Sequence, residues 1–395
     1  MSRERLLFVD DEARVLEGLE RLLHGARNRW EVSTALGAEA AIAMLAERPY
    51  DVVVSDMRMP GMDGASLLAY VHDKHPEVVR IVLSGQTDLK TALRTVTIAH
   101  QFLSKPCDVK ALTEVIEGAQ RVRAAHENEA VRRAVGGVRA LPTLPSACQR
   151  LGELLAREDV TMAEIAAEVE KDVGLVAKIM QLVNSPFFGL RRRPGCIKDA
   201  VAYLGLNVVR NVVLAVGALT AFEDELARAE IDLDDFQRRA LRTAALAKRI
   251  APAPLADQAF TAGMLHDVGK LVLATRTPDA YFAAVREARE AGRALLDVER
   301  EKNGFTHADA GAMLVGLWGF PWLAVEAVAH HGDACGVPHA TFGVMDAVYV
   351  ASVLVNGDAD GLGDVPADYA AALGVGDRLP EWRALALELG VEEAA

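Results

Sequence analysis

Several things are scarce in this chain. Aromatic residues make up 5% of its 395 residues. Its four cysteines (Cys107, Cys148, Cys196 and Cys335) are scattered and form no CxxC pair. That pattern excludes a disulfide scaffold and favours a reducing compartment. Positive charge is also short, with 43 Lys+Arg against 56 Asp+Glu and a formal charge of -13. Such a balance argues against a nucleic-acid partner or a broad acidic-lipid surface. No run of about 18 uninterrupted apolar residues occurs, so no membrane span is expected. The N-terminus, MSRERLLFVDDE, follows a very short apolar stretch with acids, which is not a signal-peptide pattern. The expectation is a cytoplasmic protein. There is no internal repeat and no long low-complexity segment. What is abundant is apolar mass: 51% of residues are hydrophobic, chiefly Ala, Leu and Val, which lean helical. The length fits two or three domains.

Four short apolar runs stand out in the first part of the chain. Leu6-Leu7-Phe8-Val9 ends in Asp10-Asp11, and Val52-Val53-Val54-Ser55 ends in Asp56. Ile81-Val82-Leu83 ends in Ser84, and Gln101-Phe102-Leu103-Ser104 ends in Lys105. Amphipathic stretches alternate with them. Val15, Leu16, Leu19, Leu22 and Leu23 recur at helical spacing, Trp30 to Ala35 reads as a further strand, and Ala38 to Leu45 as a helix. This alternation predicts βα units, hence a doubly wound parallel sheet covered by helices on both faces.

In such a sheet the carboxyl ends of the strands share a crevice. Asp10 and Asp11 are neighbouring acids whose repulsion a hard cation relieves, and Mg²⁺ prefers oxygen ligands. Asp56 adds another oxygen and can act as a nucleophile toward a phosphoryl group. Lys105 and Mg²⁺ would neutralise charge on that group, and the Ser84 hydroxyl could hydrogen-bond it. A strand-end Asp taken singly is more simply a helix cap or turn residue.

Residues 5–120 resemble a response-regulator receiver domain, of flavodoxin-like (CheY-like) fold, through FVDDE, VVVSDMRMPGMDG, VLSGQTD and FLSKP. The resemblance implies that Asp56 accepts phosphate from a sensor histidine kinase. It implies Mg²⁺ coordination by Asp10, Asp11, Asp56 and the backbone carbonyl of Arg58. It makes Ser84 and Phe102 the switch pair and the Lys105–Pro106 peptide cis. Arg58 and Gln86 flank the phosphate in such domains.

From Asp108 the pattern turns helical. Leu112, Val115, Ile116, Ala119 and Val122 make one stripe, and a charged stretch runs on to Arg133 without a breaker before Gly136-Gly137. One continuous helix is expected, either a solvated spacer or a helix that pairs with its copy in a homodimer. Beyond Leu141-Pro-Thr-Leu-Pro145 no strand alternation is evident, and an all-α region is expected. The domains are therefore read as 1–120, a helical linker at 121–140, a helical domain at 141–355 and a C-terminal helical extension at 356–395.

In the helical region, His266-Asp267 lies inside an apolar stretch, and His307, His330-His331, Asp333 and Asp346 follow. Buried His and Asp need partners. They could form a hydrogen-bonded network between helices, or hold a metal that activates water. The blocks LPTLP, EIAAEVEKDVGLVAKIMQLVNSPFFG, IKDAVAYLGLNVVRNVVL, GMLHDVGKLVL, FTHADAGAMLVGLWGFP and VAHH resemble the HDOD branch of the HD superfamily, over about residues 141–355. Catalytic HD phosphohydrolases also use an earlier His and a late Asp. Here Arg239 and Ser352 stand at those positions. Arg offers no lone pair, so the two-metal set is broken. His266, Asp267, His307, His330 and His331 remain, and Asp267 with the three later histidines could hold a single transition metal. HHGDACGVP is similar to the HHE…DG-GYP stretch of HD-GYP phosphodiesterases, but Gly332 and Val337 replace the glutamate and tyrosine.

Arg191-Arg192-Arg193 beside Phe187-Phe188 reads as a solvated loop, the alternative being a nucleic-acid or nucleotide contact. Trp318 and Trp322 read as core at a helix junction. The resemblances together imply a response regulator of a phosphorelay whose HDOD output is non-catalytic and binds a downstream signalling protein or a nucleotide second messenger. The alternative they leave open is a phosphorylation-regulated, metal-dependent cyclic-dinucleotide phosphodiesterase.

Overall fold

The computed structural model describes every residue except 1–2, 27–28, 86–94, 96, 126–127, 139–140, 142, 144, 158, 189, 191–192, 218–230, 340, 356–362 and 393–395. Gln86 and Arg191-Arg192 lie outside the described residues. The chain forms two compact units. The first comprises Met1–Arg139, Gln181–Arg193 and Gly316–Gly319, and the second comprises Ala140–Met180, Pro194–Val315 and Phe320–Ala395.

Five strands organise the first unit: β1 (Glu4–Asp10), β2 (Trp30–Leu36), β3 (Val52–Asp56), β4 (Val79–Gly85) and β5 (Gln101–Lys105). Their order is β2-β1-β3-β4-β5, and every pairing is parallel. A parallel sheet covered on both faces requires apolar side chains on both, which is why β3 is buried at all five positions. Successive crossovers run out to β2 on one side of β1 and to β3 on the other. The strand order thus reverses beside β1, and the carboxyl ends of β1 and β3 border the resulting crevice.

The last strand is followed by a helix at Val109–Ala125, which buries Leu112, Val115, Ile116, Ala119 and Arg123. Arg123 donates to the carbonyls of Asp51 and Glu77 at 3.0 and 2.9 Å and to Asp51 Oδ1 at 2.8 Å. The expected continuous helix to Arg133 does not form. A second helix, Glu129–Gly136, starts at Asn128, whose side chain caps it by accepting from the Ala130 N–H. Its apolar residues Val131, Ala134 and Val135 are buried, so this stripe is already covered within the chain. Buried Arg80 on β4 donates to the Gly136 carbonyl at 2.7 Å, and His72 meets the Gly137 carbonyl at 3.1 Å. A Cβ at Gly136 would stand 1.8 Å from the Pro76 carbonyl oxygen, so only glycine permits this approach.

The second unit is helical at every described element. Helix Leu233–Ile250 packs on Ala256–Leu265, on Val344–Val355 and on the C-terminal helix Leu379–Glu392. The last helix therefore belongs to the core of this unit, and Trp382 on it is fully buried. Gly263 lets its helix approach closely, since a Cβ there would lie 2.7 Å from Ala244 Cα. Trp318 is buried as expected, but Trp322 is 66% exposed. Trp322 opens the helix Trp322–His330, whose buried side is carried by Ala324, Val325, Ala327 and Val328 instead. No helix among the described residues is long and apolar enough to cross a membrane.

Candidate functional site

Two clusters of chemistry-bearing side chains are present, one in each unit. The first sits at the carboxyl ends of β1, β3, β4 and β5. Asp10 and Asp56 are buried while Asp11 is exposed. Lys105 donates to Asp10 Oδ2 at 2.7 Å and also pairs with Asp56 Oδ1. The remaining carboxylate oxygens accept backbone N–H groups. Glu12 N donates to Asp10 Oδ1 at 3.0 Å, and Arg58 N donates to Asp56 Oδ2 at 2.8 Å. Half-burial opposes the charge on Lys105, but its hydrogen bonds to Asp10 and Asp56 outweigh that and hold its pKa above the ordinary value.

Local sequence places Asp56. Asp63 caps the helix Gly64–Lys74 by accepting from Ser66 N. Gly64 N donates to the Met57 carbonyl at 3.1 Å, folding the loop back on β3. A Cβ at Gly64 would lie 1.9 Å from the Asp56 carbonyl oxygen, so the helix reaches the end of β3 only because this residue is glycine. The Lys105–Pro106 peptide is cis, as the receiver resemblance implies. Ser84 and Ser104 are register partners, as are Val82 and Phe102. Phe102 is buried in the core. Ser84 Oγ is buried and has no hydrogen-bond partner among the described residues.

Two buried carboxylates, Asp10 and Asp56, face one ammonium here, which leaves one negative charge uncompensated, and Asp11 adds an exposed acid next to Asp10 in the chain. The donor set is all oxygen, and it fits a hard divalent cation. An orphaned buried hydroxyl beside it fits a phosphoryl oxygen.

The second cluster is built from helix ends. His266 and Asp267 join the helices Ala256–Leu265 and Val268–Arg276. His307 opens the helix His307–Leu317, and His331 follows the helix Trp322–His330. Two glycines set the spacing. A Cβ at Gly269 would fall 1.7 Å from the His307 carbonyl oxygen, and one at Gly311 would lie 3.0 Å from Val328 Cγ1. As a result Asp267 Oδ1 lies 3.1 Å from His331 Nε2 and 3.7 Å from His307 Nε2. Lys270 Nζ donates to Asp267 Oδ2 at 2.7 Å, and His266 Nε2 is 3.4 Å from the same oxygen. Burial disfavours a charge on Asp267, but Lys270, His266 and His331 outweigh it and hold its carboxyl well below the usual range. Burial pushes His266 down to about 4 and also lowers His307.

The four residues expected with His266 do not all converge. Asp267, His307 and His331 present ligand atoms within 4.8 Å of one another, whereas His330 is not in this group. Adjacent helical residues point about 100° apart, so His330 and His331 cannot both face one point. Arg239 pairs instead with Asp235 at 3.0 Å and is half-exposed. Ser352 is buried on Val344–Val355. Asp346 belongs to a separate network: it accepts from Gly343 N at 2.7 Å, meets His339 Nε2 at 2.6 Å and accepts from the Tyr369 hydroxyl. Asp333 is exposed.

One participant was not legible in the sequence. Glu299 is fully buried, and its Oε2 accepts from the His307 backbone N–H at 2.8 Å and contacts His307 Nδ1 at 2.7 Å. Its segment, Asp297-Val-Glu-Arg-Glu-Lys-Asn303, looks like a solvated charged face. Only the spacing of eight residues to His307 links the two.

Comparison with known proteins agrees with both halves. The response regulator receiver domain model matches residues 6–117, and the HDOD domain model matches residues 141–334. The chain is similar to a protein of Treponema pallidum, 28% identical over 51% of this chain and 38% of that protein. It is also similar to the response regulator protein PilR of Pseudomonas aeruginosa, 34% identical over 33% of this chain and 29% of PilR. The chain thus spans well under half the length of these relatives. Among solved structures, the MmoQ response regulator of Methylococcus capsulatus is 30% identical, with 62% of this chain and 98% of that one covered and a TM-score of 0.49. A Campylobacter jejuni virulence factor shares the fold at 17% identity, with 66% and 98% covered and a TM-score of 0.53. Between them the two domain models take in most of the sequence, and the chain belongs to the response regulators that join a receiver domain to an HDOD domain.

Proposed function

We propose that Asp56 takes a phosphoryl group from a sensor histidine kinase and that this controls an HDOD output acting by binding a signalling protein or a nucleotide. The observation that carries the reading is the notch of Asp10 and Asp56 closed by Lys105, with Asp11 next to it in the chain and a buried Ser84 hydroxyl that has no partner among the described residues. Asp10, Asp11, Asp56 and the Arg58 carbonyl would hold Mg²⁺, which supplies charge neutralisation to the transferring group. An Asp56 carboxylate oxygen attacks phosphorus, the P–N bond of the phosphohistidine breaks, and its electron pair returns to the imidazole. Lys105 stays against the phosphoryl oxygens, and Ser84 Oγ donates to one of them. The domains are taken as 1–120, 121–140 and 141–355, with 356–395 an extension whose last helix joins the core of the second unit, in a cytoplasmic protein.

Acetyl phosphate with Mg²⁺ tests the reading on the full chain. Wild type is expected to gain a hydroxylamine-labile phosphoryl group and Asp56→Asn none; equal labelling of both would refute the assignment.

A second reading is favoured by the Asp267, His307 and His331 cluster. These residues fit a transition metal, since His266 Nε2 and Asp267 Oδ1 are buried without hydrogen-bond partners among the described residues. Bound there, a metal could serve a phosphodiesterase as a Lewis acid. Against turnover stand Arg239 and Ser352 at the two ligand positions of the HD enzymes. We therefore assign metal binding, not hydrolysis, to this pocket. Failure of the purified protein to hydrolyse cyclic dinucleotides after Mn²⁺ or Fe²⁺ loading is the expected result; turnover lost in His331→Ala would reverse it.

A further inference from the structure

Arg80 sits on β4 and is fully buried, and the chemistry at the notch makes no use of it. Its guanidinium gathers carbonyls from three separate stretches of chain. Nε donates to the Ile98 oxygen at 2.8 Å, Nη1 donates to those of Pro76 and Val78 at 3.2 and 3.0 Å, and Nη2 donates to that of Gly136 at 2.7 Å. Pro76 and Val78 lie in the turn that leads into β4, Ile98 in the turn before β5, and Gly136 closes the linker helix Glu129–Gly136. His100, which directly precedes β5, is tied to the same residue. Its Nδ1 accepts from the Arg80 backbone N–H at 3.0 Å, and its own N–H donates to the Arg80 carbonyl at 2.8 Å. One residue thus joins the two strands that carry Ser84, Phe102 and Lys105 to the last turn of the linker helix.

The end of that helix is held closely. A helix leaves its last carbonyls without intrahelical donors, and they carry partial negative charge. Here Arg80 takes the Gly136 oxygen, and His72 Nε2 meets the Gly137 oxygen at 3.1 Å. Arg132 Nη2 donates to the Arg123 carbonyl at 2.7 Å, and Val131, Ala134 and Val135 are buried. A guanidinium stays charged in a protein, and a buried charged donor that loses its acceptor costs more than a neutral one. Withdrawing the helix alone deprives Arg80 of the shortest of these four bonds, and moving Arg80 alone deprives the helix of its cap. The two positions are therefore coupled.

The notch and the helix end lie at opposite ends of β4. Ser84 is next to last on the strand, whereas Pro76 and Val78 precede its first residue. Four residues of strand, about 13 Å, separate Arg80 from Ser84. When Ser84 Oγ donates to a phosphoryl oxygen on Asp56, β4 is drawn toward its carboxyl end, and Arg80 is drawn away from the Gly136 oxygen. A shift of about 1 Å breaks a hydrogen bond of this length. The helix Gly64–Lys74 also runs from the notch, where Gly64 abuts the Asp56 carbonyl, to His72 near its other end.

We propose that the helix Glu129–Gly136 is a latch, closed on the amino end of the sheet by Arg80 and His72 while Asp56 is free, and released when Asp56 carries a phosphoryl group. Arg80 is the residue that couples the two events. The proposal rests on the phosphoacceptor reading of Asp56 and names the regulation that follows from it. Closed, the latch covers Val131, Ala134 and Val135; open, it exposes that apolar stripe. Release must be linked both ways: whatever frees the helix also eases phosphoryl binding, by the same factor.

The test is hydrogen–deuterium exchange of the full chain, read by mass spectrometry on peptides covering residues 129–136, with and without Mg²⁺ and beryllofluoride as phosphoryl mimic. In wild type the mimic is expected to speed exchange of this helix about 10-fold, within the usual range of coupling between sites. Arg80→Lys keeps the charge but loses the fork, and its helix should exchange fast without the mimic and respond no further. Gly136→Ala drives a Cβ to 1.8 Å from the Pro76 oxygen and opens the latch from the other side, so it serves even if Arg80→Lys does not fold. It should exchange fast and bind beryllofluoride about 10-fold more tightly than wild type. Leu45→Ala, a core change on the helix Ala38–Glu47, should leave the wild-type response in place. Slow exchange that persists in Arg80→Lys and Gly136→Ala would overturn the latch. Wild type that binds beryllofluoride with no change at residues 129–136 would overturn the coupling alone. Wild type that binds no beryllofluoride would overturn the phosphoacceptor reading and the coupling with it, while exchange of the two variants without the mimic would still decide the latch.

Discussion

The two clusters solve opposite electrostatic problems. In the receiver notch, acids gather at strand ends and a lysine from the edge strand β5 bridges the two buried ones, so the site is held together while still one charge short. In the helical half, the rings are pinned from behind and leave only acceptors facing inward. The first arrangement favours a hard cation with a dianionic phosphoryl group. The second favours a softer, nitrogen-loving ion. Site chemistry follows from the scaffold: strand ends converge through topology, whereas helix ends converge only where glycine lets backbones meet.

The sharpest way to break this comparison is to add a methyl group at those glycines. Gly269→Ala drives a Cβ into the His307 carbonyl, and Gly64→Ala drives one into the Asp56 carbonyl. Each should cost about 3 kcal/mol or more of its own unit's stability, seen as a lowered unfolding transition in calorimetry. Gly269→Ala should lose Co²⁺ binding yet still be phosphorylated, and Gly64→Ala should do the reverse. If either variant silenced both sites, the two would not be independent.

A somewhat smaller effect is expected from Lys105→Ala, which leaves buried Asp10 and Asp56 facing each other. The loss should be about 2–3 kcal/mol in metal-free buffer, and Mg²⁺ should restore much of it. Urea denaturation with and without Mg²⁺ measures this, and an Mg²⁺-independent loss would speak against a cation site.

Histidines of the helical half should respond to acid in opposite senses. His266 has its pKa depressed to about 4 by burial, so its contribution is present above the unfolded value of about 6.5 and is lost as pH falls toward 4. In metal-free protein the loss should be on the order of 1–3 kcal/mol, and His266→Phe should flatten it. His339 is the weaker case. Burial opposes its charge, but the Val337 carbonyl and Asp346 outweigh that and raise its pKa. Its contribution is full below about 6.5 and is lost as pH rises through the raised folded value. His339→Gln should remove a small alkaline decline in thermal stability; an unchanged profile would show that the Asp346 contact contributes nothing.

Much of the receiver half was legible because its signals are local. Apolar runs of strand length ended in the same acids, hydroxyl and lysine that the fold brings together, and the parallel sheet followed from their alternation with helices. The break after Ala125 was not legible, because a charged helical stretch without Gly or Pro gives no stop signal; the Asn128 cap is visible only once the second helix has a surface to cover. Arg80 was missed because a lone arginine inside an apolar run gives no hint that four backbone carbonyls will surround it. In the helical half the His and Asp residues were identifiable as a set. Which of His330 and His331 turns inward depends on where the helix ends, and the part played by Glu299 depends on a tertiary contact that no periodicity encodes. Trp322 was misplaced for a related reason: next to a Pro, hydrophobicity alone does not say which face of the first turn is buried.

The central claim is that the acidic notch captures a phosphoryl group on Asp56. Incubating the purified chain with Mg²⁺ and acetyl phosphate, followed by mass spectrometry of the borohydride-trapped peptide, tests it directly. The account predicts stoichiometric modification at Asp56 that requires Mg²⁺ and Lys105. An unmodified Asp56, or a modification elsewhere that persists in Asp56→Asn, would contradict it.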